Sequence, residues 1–168
     1  MQVYIPATLA MLQGLVADGL LRPVNGTAFA LTPMLREAYA EGDDDELAEV
    51  ALREAALASL RLLADSEAAG AGSPPPRRAV LAAEVGDVTF RPDLDDAVVR
   101  LAGPVALEDV IAAYVDNADA EPAVTKAIEA IDAADLGDED AELIVGDAQD
   151  HDLAWYANQE LPFLLELL

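Results

Sequence analysis

The residues best suited to acid–base or metal chemistry lie together near the C-terminus. They form one short cluster: Asp147, Asp150, His151 and Asp152. His151 is the only histidine and stands among carboxylates, so the cluster could supply a general acid or base. One imidazole among carboxylates could also suit a hard divalent cation. The alternative is structural, with Asp150 capping a helix and His151 simply exposed.

A predicted C-terminal helix carries the side chains that follow this cluster. His151, Trp155 and Asn158 are spaced i, i+4, i+7, so on a helix they share the face opposite the leucine-rich stripe. That face could line a cleft, or Trp155 could pack at a domain edge. Tyr4 adds a candidate because ligands bind beside strand ends in open α/β sheets. The candidate catalytic residues are therefore Asp150, His151, Trp155 and Tyr4.

Several common catalytic and cofactor motifs are absent from the sequence. The chain has no cysteine, which excludes disulfides, thiolate nucleophiles and cysteine-based metal sites. Gly70 and Gly72 lack the third glycine of a dinucleotide fingerprint, and Lys126 is not preceded by the glycines of a P-loop. No Gly-x-Ser-x-Gly elbow is present. We therefore predict no cofactor.

The charge balance argues against two classes of partner. The 168 residues include 33 Asp and Glu against 9 Lys and Arg, a formal net charge of −24. This balance disfavours nucleic-acid binding by phosphate neutralisation and a polybasic membrane surface. An acidic mimic of nucleic acid follows from charge alone, although charge runs are usually solvated faces. With 54% apolar residues, the chain differs from acidic disordered segments.

Hydropathy shows no membrane or secretory segment. Residues Met1 to Pro6 lack a basic stretch followed by an apolar signal core. No stretch of the sequence approaches the ~20 apolar residues of a membrane span. We therefore expect a soluble cytoplasmic protein.

Strand and helix patterns alternate along the chain and predict an α/β fold, with α+β as the alternative. The order βαβααβββαβα, with about six strands and about five helices, predicts a mixed sheet covered by helices. The arrangement is either ferredoxin-like or three-layer. The predicted strands are Val3–Pro6, Thr27–Leu31, Ala79–Val85, Ala97–Ala102, Ile111–Asp116 and Glu142–Val145. We expect a single domain over residues 1–168, with a flexible Ala/Gly/Pro-rich excursion at 67–76.

The longest predicted helix, about Asp45 to Asp65, carries apolar residues on two sides. The second set lies among charged residues and consists of Leu47, Val50, Leu57 and Leu60. A soluble monomer rarely leaves such a patch open. The patch is covered either by self-association, for which a homodimer is the commonest solution, or by a second packed layer of the same chain. These four residues are the interface candidates.

A run of four acids, Asp43 to Glu46, precedes this helix. One interpretation is a divalent-cation site, but no oxygen-rich loop with a turn-making glycine accompanies the run, as a calcium loop requires. The other is a capping cluster, in which the acids gather at the positive end of the helix. The pattern fits capping better.

Four segments resemble a known family. They are Val3-Tyr4-Ile5-Pro6-Ala7-Thr8-Leu9, Thr27-Ala28-Phe29-Ala30-Leu31-Thr32-Pro33, Leu35-Arg36-Glu37-Ala38-Tyr39-Ala40-Glu41-Gly42-Asp43 and Trp155-Tyr156-Ala157-Asn158-Gln159-Glu160-Leu161-Pro162. The chain is similar, over nearly its whole length, to a family of small acidic proteins of unknown function from high-GC actinobacteria. The resemblance implies an alanine-rich, cytoplasmic protein. It implies no activity and no catalytic residue.

Two functions from different classes follow from these patterns. The first is an acidic cytoplasmic protein that acts through protein–protein interaction without catalysis, with a protein partner or as a homodimer. It rests on the missing nucleophile and phosphate motifs and on the two-sided helix. The second is a small-molecule enzyme or divalent-metal-binding protein that uses Asp147, Asp150, His151 and Asp152.

Overall fold

A computed structural model describes residues 1–39, 41–65 and 74–167. The helices in these ranges are α1 (Leu9–Asp18), α2 (Pro33–Ala38), α3 (Asp44–Asp65), α4 (Glu121–Asp135), α5 (Glu139–Gln149) and α6 (Leu161–Glu166). The strands are β1 (Gln2–Ala7), β2 (Leu20–Leu21), β3 (Thr27–Phe29), β4 (Ala79–Glu84), β5 (Val88–Phe90), β6 (Val98–Leu101), β7 (Val105–Ala106), β8 (Val110–Val115) and β9 (Ala154–Ala157). No helix within the described ranges has the length and apolarity to cross a membrane.

One seven-stranded sheet forms the centre of the fold, in the order β5-β6-β3-β1-β4-β8-β9. β1 lies in the middle and pairs with β4 from Gln2↔Glu84 to Ala7↔Ala79. β2 and β7 form a separate two-stranded sheet. Every neighbouring pair of strands is antiparallel, so the sheet is antiparallel and not mixed as predicted.

Helices cover both faces of this sheet, which confirms the predicted α/β class in its three-layer form. Alternate side chains of β1 face opposite sides. Val3 and Ile5 pack with Leu12 of α1 and Leu161 of α6 on one face. Tyr4 faces the other side and packs in the cluster that includes Ala51 of α3.

The turn before β3 explains why β3 returns antiparallel to β1. The chain adopts left-handed backbone angles at Gly19 (φ 79°), which ends α1, and again at Asn25 and Gly26 (φ 57° and 69°). These turns redirect the chain between α1 and β3. A Cβ atom on Gly26 would lie 3.0 Å from the backbone oxygen of Leu101, so this position also requires glycine.

α3 is held between the sheet and the α4–α5 hairpin, which forms a second packed layer over its C-terminal half. Leu60 is fully buried there with Val124 and Ile131 of α4. Leu47 is buried against the sheet, so Leu47 and Leu60 are covered by the same chain, which is the second of the two alternatives for this patch. Val50 and Leu57 pack partly against the same two clusters, so their contribution to self-association stays a prediction.

Short polar signals start three of the helices. The hydroxyls of Thr8 and Thr32 accept hydrogen bonds from the amides of Met11 and Leu35, at 3.2 and 3.1 Å. Asp43 accepts from the amide of Glu46 at 2.9 Å before α3. The acid run therefore includes a helix cap, as the second interpretation of that run predicts.

Two predictions near the C-terminus are wrong. Glu142–Val145 is not a strand but part of α5, because Asp138 caps that helix and Val145 and Ala148 are buried at helical spacing. The predicted final helix begins late: residues 154–157 form β9, which pairs with β8. In addition, Val88–Phe90 forms β5, which was not predicted. Residues 67–73 of the predicted flexible excursion lie outside the described residues.

Candidate functional site

A groove of about 410 Å³ lies between the first half of α3 and the sheet, and we call it the α3 groove. The helix contributes Asp45, Ala48, Glu49, Leu52, Arg53 and Ala56. The sheet side contributes Tyr4, Arg78 and Tyr114, and the end of α5 with its following segment contributes Gln149, His151, Asp152 and Leu153. This volume falls within the range of small-molecule sites, about 300–1,000 Å³.

Two tyrosines form the aromatic part of the groove. Their ring centroids are 6.3 Å apart, with an angle of 62° between the ring planes. Tyr4 of β1 pairs with Ala82 of β4, and Ala82 pairs with Ala112 of β8. These small side chains share the face of the sheet that carries Tyr4, which leaves space beside the rings. The side-chain amide of Gln2 donates to the Tyr4 hydroxyl at 3.3 Å, so that hydroxyl keeps its own hydrogen to donate.

Burial raises the pKa of both tyrosines above the ordinary value. For Tyr4, the neighbouring Tyr114 and the negative charges of Glu49 and Asp45 raise the pKa further. For Tyr114, Glu49 adds to the effect of burial on its pKa. Both phenols therefore stay protonated at neutral pH and present hydroxyl donors.

A buried ion pair lies behind the sheet side of the groove. Arg78 and Asp116 are 1% and 0% exposed. Arg78 Nε and Nη2 donate to the two carboxylate oxygens of Asp116 at 2.9 and 2.8 Å. The backbone amide of Arg78 donates to the same carboxylate at 2.8 Å. These hydrogen bonds offset the free-energy cost of removing both charges from water, because each charge has several close partners.

The guanidinium also holds the segment that ends the groove. Arg78 Nη1 donates to Gln149 Oε1 at 2.8 Å, and Nη2 donates to the backbone oxygen of His151 at 2.9 Å. Four of its five N–H groups are then bound. The fifth, on Nη1, has no acceptor among the described residues, and Arg78 itself lines the groove. These bonds hold the guanidinium in place, with the Arg78 side chain only 2% exposed.

Only part of the predicted C-terminal site lies at the groove. Tyr4, His151 and Asp152 line it together, although they come from distant parts of the chain. Asp147 and Asp150 are exposed and are not part of its lining. The prediction that His151, Trp155 and Asn158 share one helical face is wrong. Trp155 lies on strand β9, which comes between His151 and Asn158.

Trp155 and Asn158 have positions that the helical interpretation did not foresee. Trp155 is 57% exposed on β9, where it pairs with Tyr114 of β8. The Asn158 amide donates to the backbone oxygens of Leu107 and Val110, both at 2.7 Å. Asn158 thus has a structural role at the end of β8.

The predicted metal site is not formed. Within residues 1–39, 41–65 and 74–167, no three histidine, aspartate or glutamate side chains converge so that they could hold a metal ion. Asp147, Asp150, His151 and Asp152 are close in sequence, but only His151 and Asp152 line the groove. The prediction of metal ligands in this cluster is therefore corrected.

Sequence reasoning missed the residues at the centre of the groove: Arg78, Tyr114, Glu49 and Gln149. One signal was present for the first of them. Arg78 stands directly before the apolar run of β4, and Asp116 follows the apolar run of β8. Opposite charges at the ends of two buried strands predict a pair if those strands are neighbours.

The comparisons with known proteins assign the chain to a family but to no activity. Searches of curated proteins and of solved structures return no match. The match to one family extends over residues 1–165, nearly the whole chain. The protein belongs to the family of unknown function DUF6912.

Proposed function

We propose that the protein binds a small organic molecule in the α3 groove. The observation that carries this proposal is the convergence of polar groups on one cavity, around the partly satisfied guanidinium of Arg78. Two tyrosine rings add apolar surface with hydroxyl donors at their tips. A cavity of this size with a few fixed polar groups is the usual form of a ligand site.

Binding without catalysis suits the lining better than an enzyme does. The groove residues include no serine, threonine, cysteine or lysine within the described ranges, so the groove lacks the aliphatic hydroxyl, thiol and amine nucleophiles. His151 and Asp152 could transfer protons, but both are exposed.

The proposal is tested by a ligand screen on three proteins: the unmodified chain, Ala48→Phe and Ala133→Phe. Ala48 lines the groove, so a phenyl ring there fills part of the cavity. Ala133 is exposed on α4 and takes the same substitution outside the groove. We expect compounds that raise the melting temperature of the unmodified protein and Ala133→Phe to have no effect on Ala48→Phe. Ligands that stabilise all three proteins equally would refute binding in the groove.

A second candidate function, self-association, is supported by the edge strand β9. β9 is the last strand of the sheet, so one side of its backbone is free to pair with a second copy of the chain. Trp155 on this strand is 57% exposed, and Phe163 on α6 is 68% exposed. Two copies related by a two-fold axis would continue the sheet.

Sedimentation analysis distinguishes this candidate from a monomer. We expect a dimer mass for the unmodified protein and a monomer mass for Trp155→Glu. Leu136→Glu is the matched control, because Leu136 is exposed between α4 and α5, away from β9. A monomer mass for the unmodified protein at high concentration would exclude self-association.

A further inference from the structure

The charged side chains along the α3 groove restrict what it binds. Asp45 and Glu49 are four residues apart on α3, so they share one side of the helix. Asp152 lies on the opposite wall, in the segment after α5. All three carboxylates are exposed, whereas Arg53 is the one exposed guanidinium among the described groove residues. The mouth of the groove is therefore net negative.

The inner end of the groove does not reverse this sign. Arg78 is its second guanidinium, but Asp116 binds it through both carboxylate oxygens, at 2.8 and 2.9 Å. The pair is neutral as a unit, and the Arg78 side chain is only 2% exposed, so it adds no free positive charge to the groove. An anion entering here would pass three carboxylates, and Arg53 is the one exposed positive charge among the described groove residues. The net charge of −24 over the whole chain repels anions further.

The tyrosine rings add a surface that cations prefer. The face of an aromatic ring carries negative electrostatic potential and attracts ammonium and guanidinium groups within about 6 Å of its centroid. Tyr4 and Tyr114 pack edge to face, and both line the groove. Glu49 contributes to raising the pKa of both tyrosines, which is the effect expected of a negative potential at this position.

We infer that the ligand of the α3 groove is an organic cation whose ammonium or guanidinium group is attracted by the carboxylates of Asp45, Glu49 and Asp152. Its uncharged body packs on Tyr4 and Tyr114. This inference rests on the proposed function and adds the charge class of the ligand.

The test compares three probes with one ring and different charge by isothermal titration calorimetry: tyramine, 4-methylphenol and 4-hydroxyphenylacetate. We expect tyramine to bind the unmodified protein at least about tenfold more tightly than 4-hydroxyphenylacetate, with 4-methylphenol between them. Equal or tighter binding of the anion would overturn the inference. Failure of all three probes to bind at about 10 mM would overturn it as well.

Two charge variants locate the preference. Glu49→Gln removes a carboxylate from the groove, and we expect it to weaken the binding of tyramine about two- to fivefold. Glu129→Gln removes the same charge from an exposed position on α4, and we expect it to leave the affinity for tyramine unchanged. Equal weakening by both variants would attribute the preference to the charge of the whole chain and overturn the inference.

Failure of the proposed function has a different signature. If tyramine binds Ala48→Phe as tightly as the unmodified protein, the groove is not the site, whatever the charge preference of the probes. If Ala48→Phe blocks binding but the anion is preferred, the groove binds small molecules and only the charge class is wrong.

Discussion

Replacing Arg78 with methionine removes the cation of the buried pair and keeps much of the side-chain length. The carboxylate of Asp116, fully buried, then loses the two hydrogen bonds from the guanidinium and its charged partner. Breaking a buried ion pair in this way costs about 3–5 kcal/mol. We expect the free energy of unfolding in urea to fall by that amount, a large fraction of the about 5–15 kcal/mol typical of a domain.

A double-variant cycle separates the pair from its surroundings. In Arg78→Met/Asp116→Leu no uncompensated charge stays buried, and apolar replacement of a buried pair is often neutral. The remaining loss comes from the Arg78 amide, Gln149 and His151, which lose partners at 2.8–2.9 Å. Each buried group left without a partner costs about 1–3 kcal/mol. The double variant should therefore be more stable than the sum of the two single losses predicts.

The matched control is the exposed pair of Arg91 and Asp93, 2.7 Å apart. Arg91→Met should leave the free energy of unfolding nearly unchanged, because exposed ion pairs contribute little to stability. If Arg78→Met lowered the free energy of unfolding as little as Arg91→Met does, the reasoning would be refuted. Such a result would mean that water reaches Asp116. Strictly additive losses in the cycle would refute the proposed coupling between the two side chains.

Four further predictions follow from single contacts and from the charge. Ser59→Ala removes a buried hydroxyl that donates to Ala7 O at 2.6 Å and accepts from Ala79 N at 3.0 Å, so it should cost about 1–3 kcal/mol in urea unfolding. Thr125→Ala, which removes an exposed hydroxyl, should cost less. Asp43→Ala should lower stability by about 1 kcal/mol through loss of a helix cap, whereas a value near zero would mean that the cap is dispensable. Hydrogen bonding to Arg61 lowers the pKa of Asp135, so this pair stabilises the fold above the ordinary aspartate pKa of about 3.9 and loses that contribution as pH falls through the lowered value. The stability difference between the unmodified protein and Arg61→Gln should accordingly disappear in acid; a constant difference would contradict the assignment. With a net charge of −24, the melting temperature should rise from low salt to several hundred millimolar sodium chloride, and a fall would show that the acids are well paired.

Local signals were enough to predict much of the fold. Thr8 and Thr32 were recognised as helix starts because capping depends on residues only three apart. β1 and β4 were found because runs of apolar residues at strand length identify buried strands. The antiparallel pairing was not predictable, since it depends on how the chain turns between elements.

The errors near the C-terminus have a common cause. Glu142–Val145 contains apolar residues that fit either a short strand or one side of a helix, and the burial of Ala141 and Ala148 decides for the helix. Residues 154–157 fit the helical spacing, but pairing with β8 outweighs that weak preference.

The groove was hidden for a similar reason. Tyr4 and His151 were named as separate candidates, but nothing in the sequence shows that Arg78 joins them. Arg78 and Asp116 are 38 residues apart and meet only because β4 and β8 are neighbours. The site depends on which strands are neighbours in the sheet, and no local sequence pattern shows this.

A crystal structure of the protein grown with tyramine tests the central claim most directly. The account predicts the ligand in the α3 groove, with its ring against Tyr4 or Tyr114 and its ammonium within hydrogen-bond distance of Glu49 or Asp152. Tyramine bound elsewhere on the protein, with the groove closed by its own side chains, would contradict the account.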